Sequence, residues 1–135
     1  MPFDNIPATP RYADEIAILD RMRDLLASPD RWCRGTPYTR VNREKPESVC
    51  ILGALGIVEI GCAVGWGQTD AGITVQRMLE RFVGGIALGS YNDTHSHADI
   101  LALIDKARAE FIRAGQIEAI MDYGERSVAE LVEGT

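Results

Sequence analysis

The segment from Val49 to Ile60 constrains the fold more than any other part of this sequence. It is apolar on nearly every side of a helical projection, so a helix formed here has to be surrounded by the rest of the chain. Gly53 and Gly56 lower the helix propensity of the segment, and their presence predicts that another backbone approaches closely. The glycines and Glu59 also interrupt the apolar run, which is too short to span a membrane.

The hydrophobic periodicity predicts a mainly α fold, a small helical bundle with a minor two-stranded β element near 33–43 or 86–91. Helices are expected over 10–27, 46–60, 73–83 and 97–114, followed by two short terminal helices over 117–123 and 126–132. The helices over 46–60 and 97–114 are expected to pack together. Residues 1–9 are expected to form an extended segment before a single helical domain over residues 10–135.

Local signals set the expected helix ends. Thr9 and Pro10 have the residue types of an N-cap and a first helical position, and Pro46 is expected to open the second helix. Ser96 and Asp99 have the spacing of a capping box for the helix over 97–114. Gly115 is expected to end that helix.

Charge and cysteine content exclude several classes of protein. The net charge of −6 disfavours binding to nucleic acid or to an anionic membrane, and the N-terminus lacks the pattern of a signal peptide. The protein is therefore expected to be cytoplasmic, and Cys33, Cys50 and Cys62, which have no C-x-x-C spacing, are expected to stay reduced there. The glycine-rich loop over 61–72 lacks the Lys-Ser/Thr of a phosphate-binding loop, so no cofactor is predicted.

A cysteine-dependent hydrolase or transferase is one interpretation of the polar residues. Cys50 lies near a helix start, which lowers a thiol pKa, and His95 or His97 would act as its base. Asn92 or Asp93 would orient the imidazole.

Other interpretations of the same residues remain open. Cys50 is also typical of a small buried apolar residue, and Asn92-Asp93 is also typical of a structural turn over 91–95. A metal site formed by the two histidines and Asp93 has loose spacing, and the prediction is that no metal is bound.

Trp32, Arg34 and Trp66 are the candidate binding residues. Trp66 lies in the glycine-rich loop, and exposed tryptophan is favoured at binding hot spots. The Trp32 loop is expected to lie near the Asn92 turn. Because no complete catalytic signature is present, the leading hypothesis is a small cytosolic binding or interaction protein. Its partner would be an unknown protein or small molecule, and self-association is a further option.

Three short motifs and one helix, in this order, carry a family resemblance. They are Trp32-Cys33-Arg34-Gly35, Cys50-Ile51-Leu52-Gly53-Ala54-Leu55, Tyr91-Asn92-Asp93 and the helical stretch Ile100–Ala107. Over roughly residues 12 to 108 the chain resembles the DUF6197-like proteins, an uncharacterised bacterial and phage family. The resemblance implies the order of elements and a phage or prophage association, and it implies no reaction. These relatives often have Pro-Gly-Arg-Thr after Asn-Asp, where this chain has Thr94-His95-Ser96-His97.

Overall fold

A computed structural model describes residues 11–39 and 44–133, with the backbone alone for residues 125–133. The mainly α fold with a minor two-stranded element is confirmed. One turn of 3₁₀ helix (Pro29–Arg31) follows the first helix, and strands β1 and β2 pair antiparallel. The elements are α1 (Ala13–Leu25), β1 (Tyr38–Thr39), β2 (Ser48–Val49), α2 (Ile51–Ile60), α3 (Asp70–Phe82), α4 (Leu88–Thr94) and α5 (His97–Glu133).

The helix α1 lies at the centre of the packing. It contacts α2, α3 and α5, whereas α2 packs mainly on α1 and α4. The predicted packing of the second helix on the helix that begins at His97 is therefore wrong, because both helices pack on α1 and neither is a main neighbour of the other. Leu19, Met22 and Leu26 are completely buried on α1 or just after it, and half-buried Ile18 and Leu25 extend its apolar surface. Two apolar faces let α1 contact neighbours on more than one side.

The helices α1 and α5 run antiparallel. Arg23 on α1 pairs with Asp105 on α5 (2.6 Å), and Asp20, earlier on α1, pairs with Arg108, later on α5 (2.7 Å). The apolar residues whose periodicity predicts the helix over 97–114 are buried in α5: Ile100, Leu103, Ile104, Ala107 and Phe111. No helix in the described ranges has both the length and the apolar composition needed to cross a bilayer.

The predicted start of the second helix at Pro46 is wrong. The backbone N–H of Glu47 donates to Thr39 (3.0 Å) and that of Cys50 donates to Pro37 (3.1 Å), so this stretch bonds across to the β1 segment. The helix α2 begins only at Ile51, with Cys50 as its N-cap. Long-range backbone hydrogen bonds therefore override the local helix signal.

The predicted turn over 91–95 is also wrong, because residues 88–94 form α4. The N–H of Tyr91 donates to the carbonyl of Ala87 (3.0 Å), which starts a short helix after the glycines at 84 and 85. A strand within 86–91 is excluded for the same reason. The capping box at the start of α5 is confirmed by two reciprocal bonds between Ser96 and Asp99, of 3.1 and 3.2 Å.

Gly115 does not end α5, which continues to Glu133 and includes both predicted terminal helices. A side chain at residue 115 would press on the backbone and Cβ of Arg11, so the glycine permits a close approach of the chain just before α1. The helix α1 itself begins at Ala13, directly after Tyr12 in the left-handed conformation with φ 61°. The predicted cap at Thr9 and Pro10 and the extended segment over 1–9 lie outside the described residues.

The expected close backbone approaches at Gly53 and Gly56 are confirmed. A methyl group at residue 53 would overlap the carbonyl oxygen of Pro37, and one at residue 56 would overlap that of Cys62. The absence of side chains thus lets α2 lie directly against the β1 segment and the loop that follows α2.

We predict that Gly53→Ala lowers the free energy of unfolding by about 2 kcal/mol, because the backbone of residue 37 has to move. Urea unfolding followed by circular dichroism measures the change. Gly124→Ala is the matched control, because residue 124 is helical and has open space around it. That variant should gain up to about 1 kcal/mol from helix propensity. Equal stability of the two variants would contradict the close packing of Gly53.

Candidate functional site

The side-chain amide of Asn92 lies where three segments of the chain meet. Asn92 is on α4 and is completely buried. Its Oδ1 accepts hydrogen bonds from the indole Nε1 of Trp32 (2.8 Å) and from the backbone N–H of Ile51 (3.0 Å). Its Nδ2 donates to the carbonyl oxygen of Cys33 (2.9 Å). The expected proximity of the Trp32 loop and Asn92 is thereby confirmed.

The Asn92 amide replaces a backbone hydrogen bond that a regular parallel β-ladder would have at this place. Trp32 and Val49 form a parallel bridge in which the N–H of Cys33 donates to the carbonyl of Val49 (3.0 Å). In a regular parallel ladder the next bond would join the N–H of Ile51 to the carbonyl of Cys33. These are the two backbone groups that Asn92 binds. The amide therefore satisfies both groups while the two chain segments diverge and α2 begins.

Trp32 and Arg34, two of the predicted binding residues, make their contacts within the chain. The guanidinium of Arg34 lies 4.8 Å from the centre of the Trp32 ring and donates a hydrogen bond to the carbonyl of His95. Beside it, Asp93 accepts a hydrogen bond from the backbone N–H of Gly35 (2.7 Å). These contacts hold the loop after the 3₁₀ turn against α4.

The two histidines are oriented by backbone carbonyls. His95 stacks on Tyr91, with ring centres 3.7 Å apart, and its Nδ1 lies 2.9 Å from the Tyr91 carbonyl. The Nε2 of His97 lies 2.5 Å from the carbonyl of Leu26, and its ring is 5.8 Å from that of Trp32. Because a carbonyl only accepts, these two nitrogens carry protons and act as donors.

The Cys50 thiol has a structural contact at the start of α2. It is 6% exposed, and its sulfur accepts a hydrogen bond from the N–H of Gly53 (3.3 Å). Burial raises the pKa of this thiol above its ordinary value of 9.0, and the N–H groups of Leu52 and Gly53 only partly oppose the rise. A catalytic cysteine requires a lowered pKa.

The predicted catalytic set is brought together only in part. Asn92, Asp93 and His95 belong to one network, but neither imidazole has a hydrogen bond to the Cys50 sulfur in the described structure. The cysteine-dependent site remains a prediction without a supporting contact. Among the residues whose side chains are described, no group of three His, Cys, Asp or Glu could hold a metal ion.

Trp66, the third predicted binding residue, is half-buried and packs on the core. Its loop is held by Glu59, whose carboxylate accepts bonds from the N–H groups of Gly67 (2.6 Å) and Thr69 (2.9 Å) and two further bonds. The sequence-based predictions assign Glu59 no contact with this loop. The available signal was its position as the single acid of an apolar helix that precedes a glycine-rich loop.

A groove between α1 and α2 was not predicted from the sequence. It consists of two cavities, of about 290 and about 420 Å³, which share Leu25, Arg31 and Ile57 in their lining. This α1–α2 groove is completed by Arg21, Asp24, Val58 and residues 44–49. Arg21 and Arg31 resemble any exposed cation in the sequence, so no sequence signal marked them.

The fold and the asparagine network define a small helical protein whose chain segments are joined by a buried side-chain amide. A family model described as "Family of unknown function (DUF6197)" matches residues 11–110, and the chain belongs to that family. No curated protein and no solved structure matches the chain. The matched range contains the Asn92 network and the α1–α2 groove, and it ends within α5.

We predict that Asn92→Asp lowers the free energy of unfolding by about 3 kcal/mol. The second carboxylate oxygen would face the carbonyl of Cys33, where the native amide donates. Urea unfolding followed by circular dichroism measures the loss. Asp93→Asn is the matched control at an exposed neighbour, with an expected change below about 1 kcal/mol. If the two variants unfold at the same urea concentration, the structural role assigned to the Asn92 amide is wrong.

We predict that iodoacetamide labels Cys50 more slowly than the less buried Cys62 in the folded protein. Folding raises the pKa of the Cys50 thiol, so less thiolate is present at a given pH than in the unfolded chain. Peptide mass spectrometry at several pH values gives both rates, and the Cys50 midpoint should lie above 9.0. A midpoint below 9.0, with labelling faster than at Cys62, would instead support the cysteine nucleophile.

Proposed function

We propose that this protein is a small binding protein and that the α1–α2 groove binds a carboxylate with an aliphatic body. The observation that carries the proposal is the position of Arg31. Its side chain lines both cavities, beside an apolar floor that includes Leu25 and Ile57. A cation next to partly exposed apolar side chains is the chemistry that recognises an amphipathic anion.

The charges of the groove support an anionic ligand. Arg21 and Arg31 both line the larger cavity, and neither has an ion-pair partner within the described residues. Asp24 is the one carboxylate in that lining, which leaves a net positive charge in a chain whose net charge is −6. A guanidinium binds a carboxylate through two parallel hydrogen bonds, so the two arginines can fix the anionic end.

The apolar floor supports an aliphatic body on the ligand. Leu25, Ile57 and Val58 are each partly exposed where they line the groove. Covering such a surface contributes about 25 cal/mol for each Å² of apolar area removed from water. In the smaller cavity Glu44 and Glu47 are balanced by Arg31 and Lys45, whereas the larger cavity has a net positive charge, so the anionic end belongs at the Arg21 side of the groove.

The proposed cellular setting is the cytoplasm. All three cysteines are free thiols, which fits a reducing compartment. The acidic composition argues against a nucleic-acid partner. A phage or prophage association is part of the proposal through the family resemblance alone. The alternative of a cysteine-dependent enzyme is the weaker one, because burial raises the Cys50 pKa.

Titration of ¹⁵N-labelled protein with octanoate tests the proposal. Octanoate should shift the backbone amide resonances of residues 21–31 and 57–58 in a saturable manner, with a Kd on the order of 1 mM for so small a probe. Octanol and octylammonium have the same chain with no charge or the opposite charge, and both should bind more weakly. Arg21→Gln and Arg31→Gln should each raise the octanoate Kd by about tenfold.

Arg23→Gln is the matched control for these variants. Arg23 lies on the same helix, but Asp105 holds its guanidinium at the contact with α5. This variant should bind octanoate like the wild type. The proposal is wrong if octanoate leaves the resonances of residues 21–31 unshifted, or if octanol binds as tightly as octanoate.

A further inference from the structure

The C-terminal part of α5 has an apolar face that is open to solvent in the described structure. Ile117, Ile120 and Met121 are 42%, 55% and 60% exposed. The adjacent face of the same turns is occupied, because Glu118 accepts a hydrogen bond from Tyr12 (2.8 Å) and Asp122 pairs with Arg11. This part of α5 therefore has one face on the body of the protein and one face without a partner.

The open face continues into a groove on the body. A cavity of about 300 Å³ between α3 and α5 has an apolar floor of Met78, Phe111 and Ala114. Ala114 is three residues before Ile117, so it lies on the same side of α5. We call this cavity the α3–α5 groove; the residues that complete its lining are Tyr12, Thr74, Arg77, Arg81, Glu110 and Glu118.

The α3 side of this groove is basic. Arg77 has no ion-pair partner within the described residues, and Arg81 lies 3.9 Å from Glu110 at the limit of a salt bridge. By contrast, the sequence over 125–133 contains three glutamates and one arginine. The C-terminal end of a helix adds a partial negative charge. The last turns of α5 and the α3 side of the groove are thus complementary in charge, whereas Glu110 and Glu118 on the α5 side are paired with Arg113 and Arg11.

We propose that this face binds a second copy of the chain, with the two α5 helices antiparallel. In this arrangement the acidic end of each α5 meets Arg77 and Arg81 of the other copy, whereas a parallel pair would set the acidic ends side by side. A two-fold axis makes both contacts equivalent. Small and apolar residues recur along this part of the sequence at alternating intervals of three and four, the spacing found where two helices pair. They are Ala114, Ile117, Met121, Gly124, Val128 and Leu131.

The length of the helix is sufficient for such an interface. The described α5 has 37 residues, and its last 20 residues span about 30 Å at about 1.5 Å per residue. The α5 part of the proposed contact surface lies beyond residue 110, where the family match ends, whereas Arg77 and Arg81 lie within the matched range. The α3–α5 groove shares no lining residue with the α1–α2 groove, so dimerisation and ligand binding can be tested separately.

Sedimentation velocity of the full chain between about 1 and 200 µM tests this proposal. The wild type should sediment as a concentration-dependent dimer. Ile117→Glu should be monomeric at concentrations where the wild type is dimeric, because it places a charge within the apolar face. Ile86→Glu is the matched control at an apolar residue that is 49% exposed elsewhere, and it should dimerise like the wild type.

Charge reversal at the two arginines of α3 tests whether the two α5 helices are antiparallel. Arg77→Glu should raise the dimer Kd at least tenfold, and a similar loss is expected for Arg81→Glu. Circular dichroism and urea unfolding establish that each exposed variant remains folded. A wild type that is monomeric at 200 µM overturns the proposal, and so does a dimer that persists in Ile117→Glu. A dimer sensitive to Ile117→Glu but insensitive to both arginine variants overturns the antiparallel arrangement.

Discussion

The side-chain amide of Asn92 resolves a conflict between two kinds of structure. The Trp32 segment and β2 begin as a parallel pair, but the chain after Cys50 turns into a helix and leaves the pair incomplete. A buried backbone donor and acceptor would then lose their partners, at a cost of about 1–3 kcal/mol for each group. The side chain of Asn92, on α4, has one donor and one acceptor at the spacing of a peptide group. It therefore binds both the carbonyl of Cys33 and the N–H of Ile51.

Several other elements of the fold make contacts next to the hydrogen bonds of Asn92 (the Asn92 junction). Cys50 caps α2 with its sulfur, and Gly53 lets the first turn of α2 lie on the carbonyl of Pro37. The Trp32 indole packs beside His97 at the start of α5 while its N–H is bound to Asn92. The short strands, the N-terminus of α2 and the start of α5 are thereby held by one set of contacts. The motifs that contain Trp32, Cys50 and Asn92 are separate in the sequence but form one structural unit.

Local patterns predicted the parts of the structure that depend on local interactions. The apolar spacing of α5 identified its buried face through Phe111, and the Ser96–Asp99 spacing identified its capping box. The sequence failed where backbone hydrogen bonds join distant segments. Residues near Pro46 have a good helix signal, yet their N–H groups bond to the β1 segment. The partners of Asn92 could not be predicted for the same reason, because two of them are the backbone groups of Cys33 and Ile51, which no residue type marks.

The 3₁₀ turn gives the Asn92 junction a connection to the surface. Arg31 ends that turn and lines the α1–α2 groove, and the next residue is Trp32, whose indole binds Asn92. Val49, the bridge partner of Trp32, lines the same groove. A molecule held there would contact the two chain segments that the buried amide joins. Occupancy of the groove and integrity of the junction are then thermodynamically linked, so that each would strengthen the other by the same free energy.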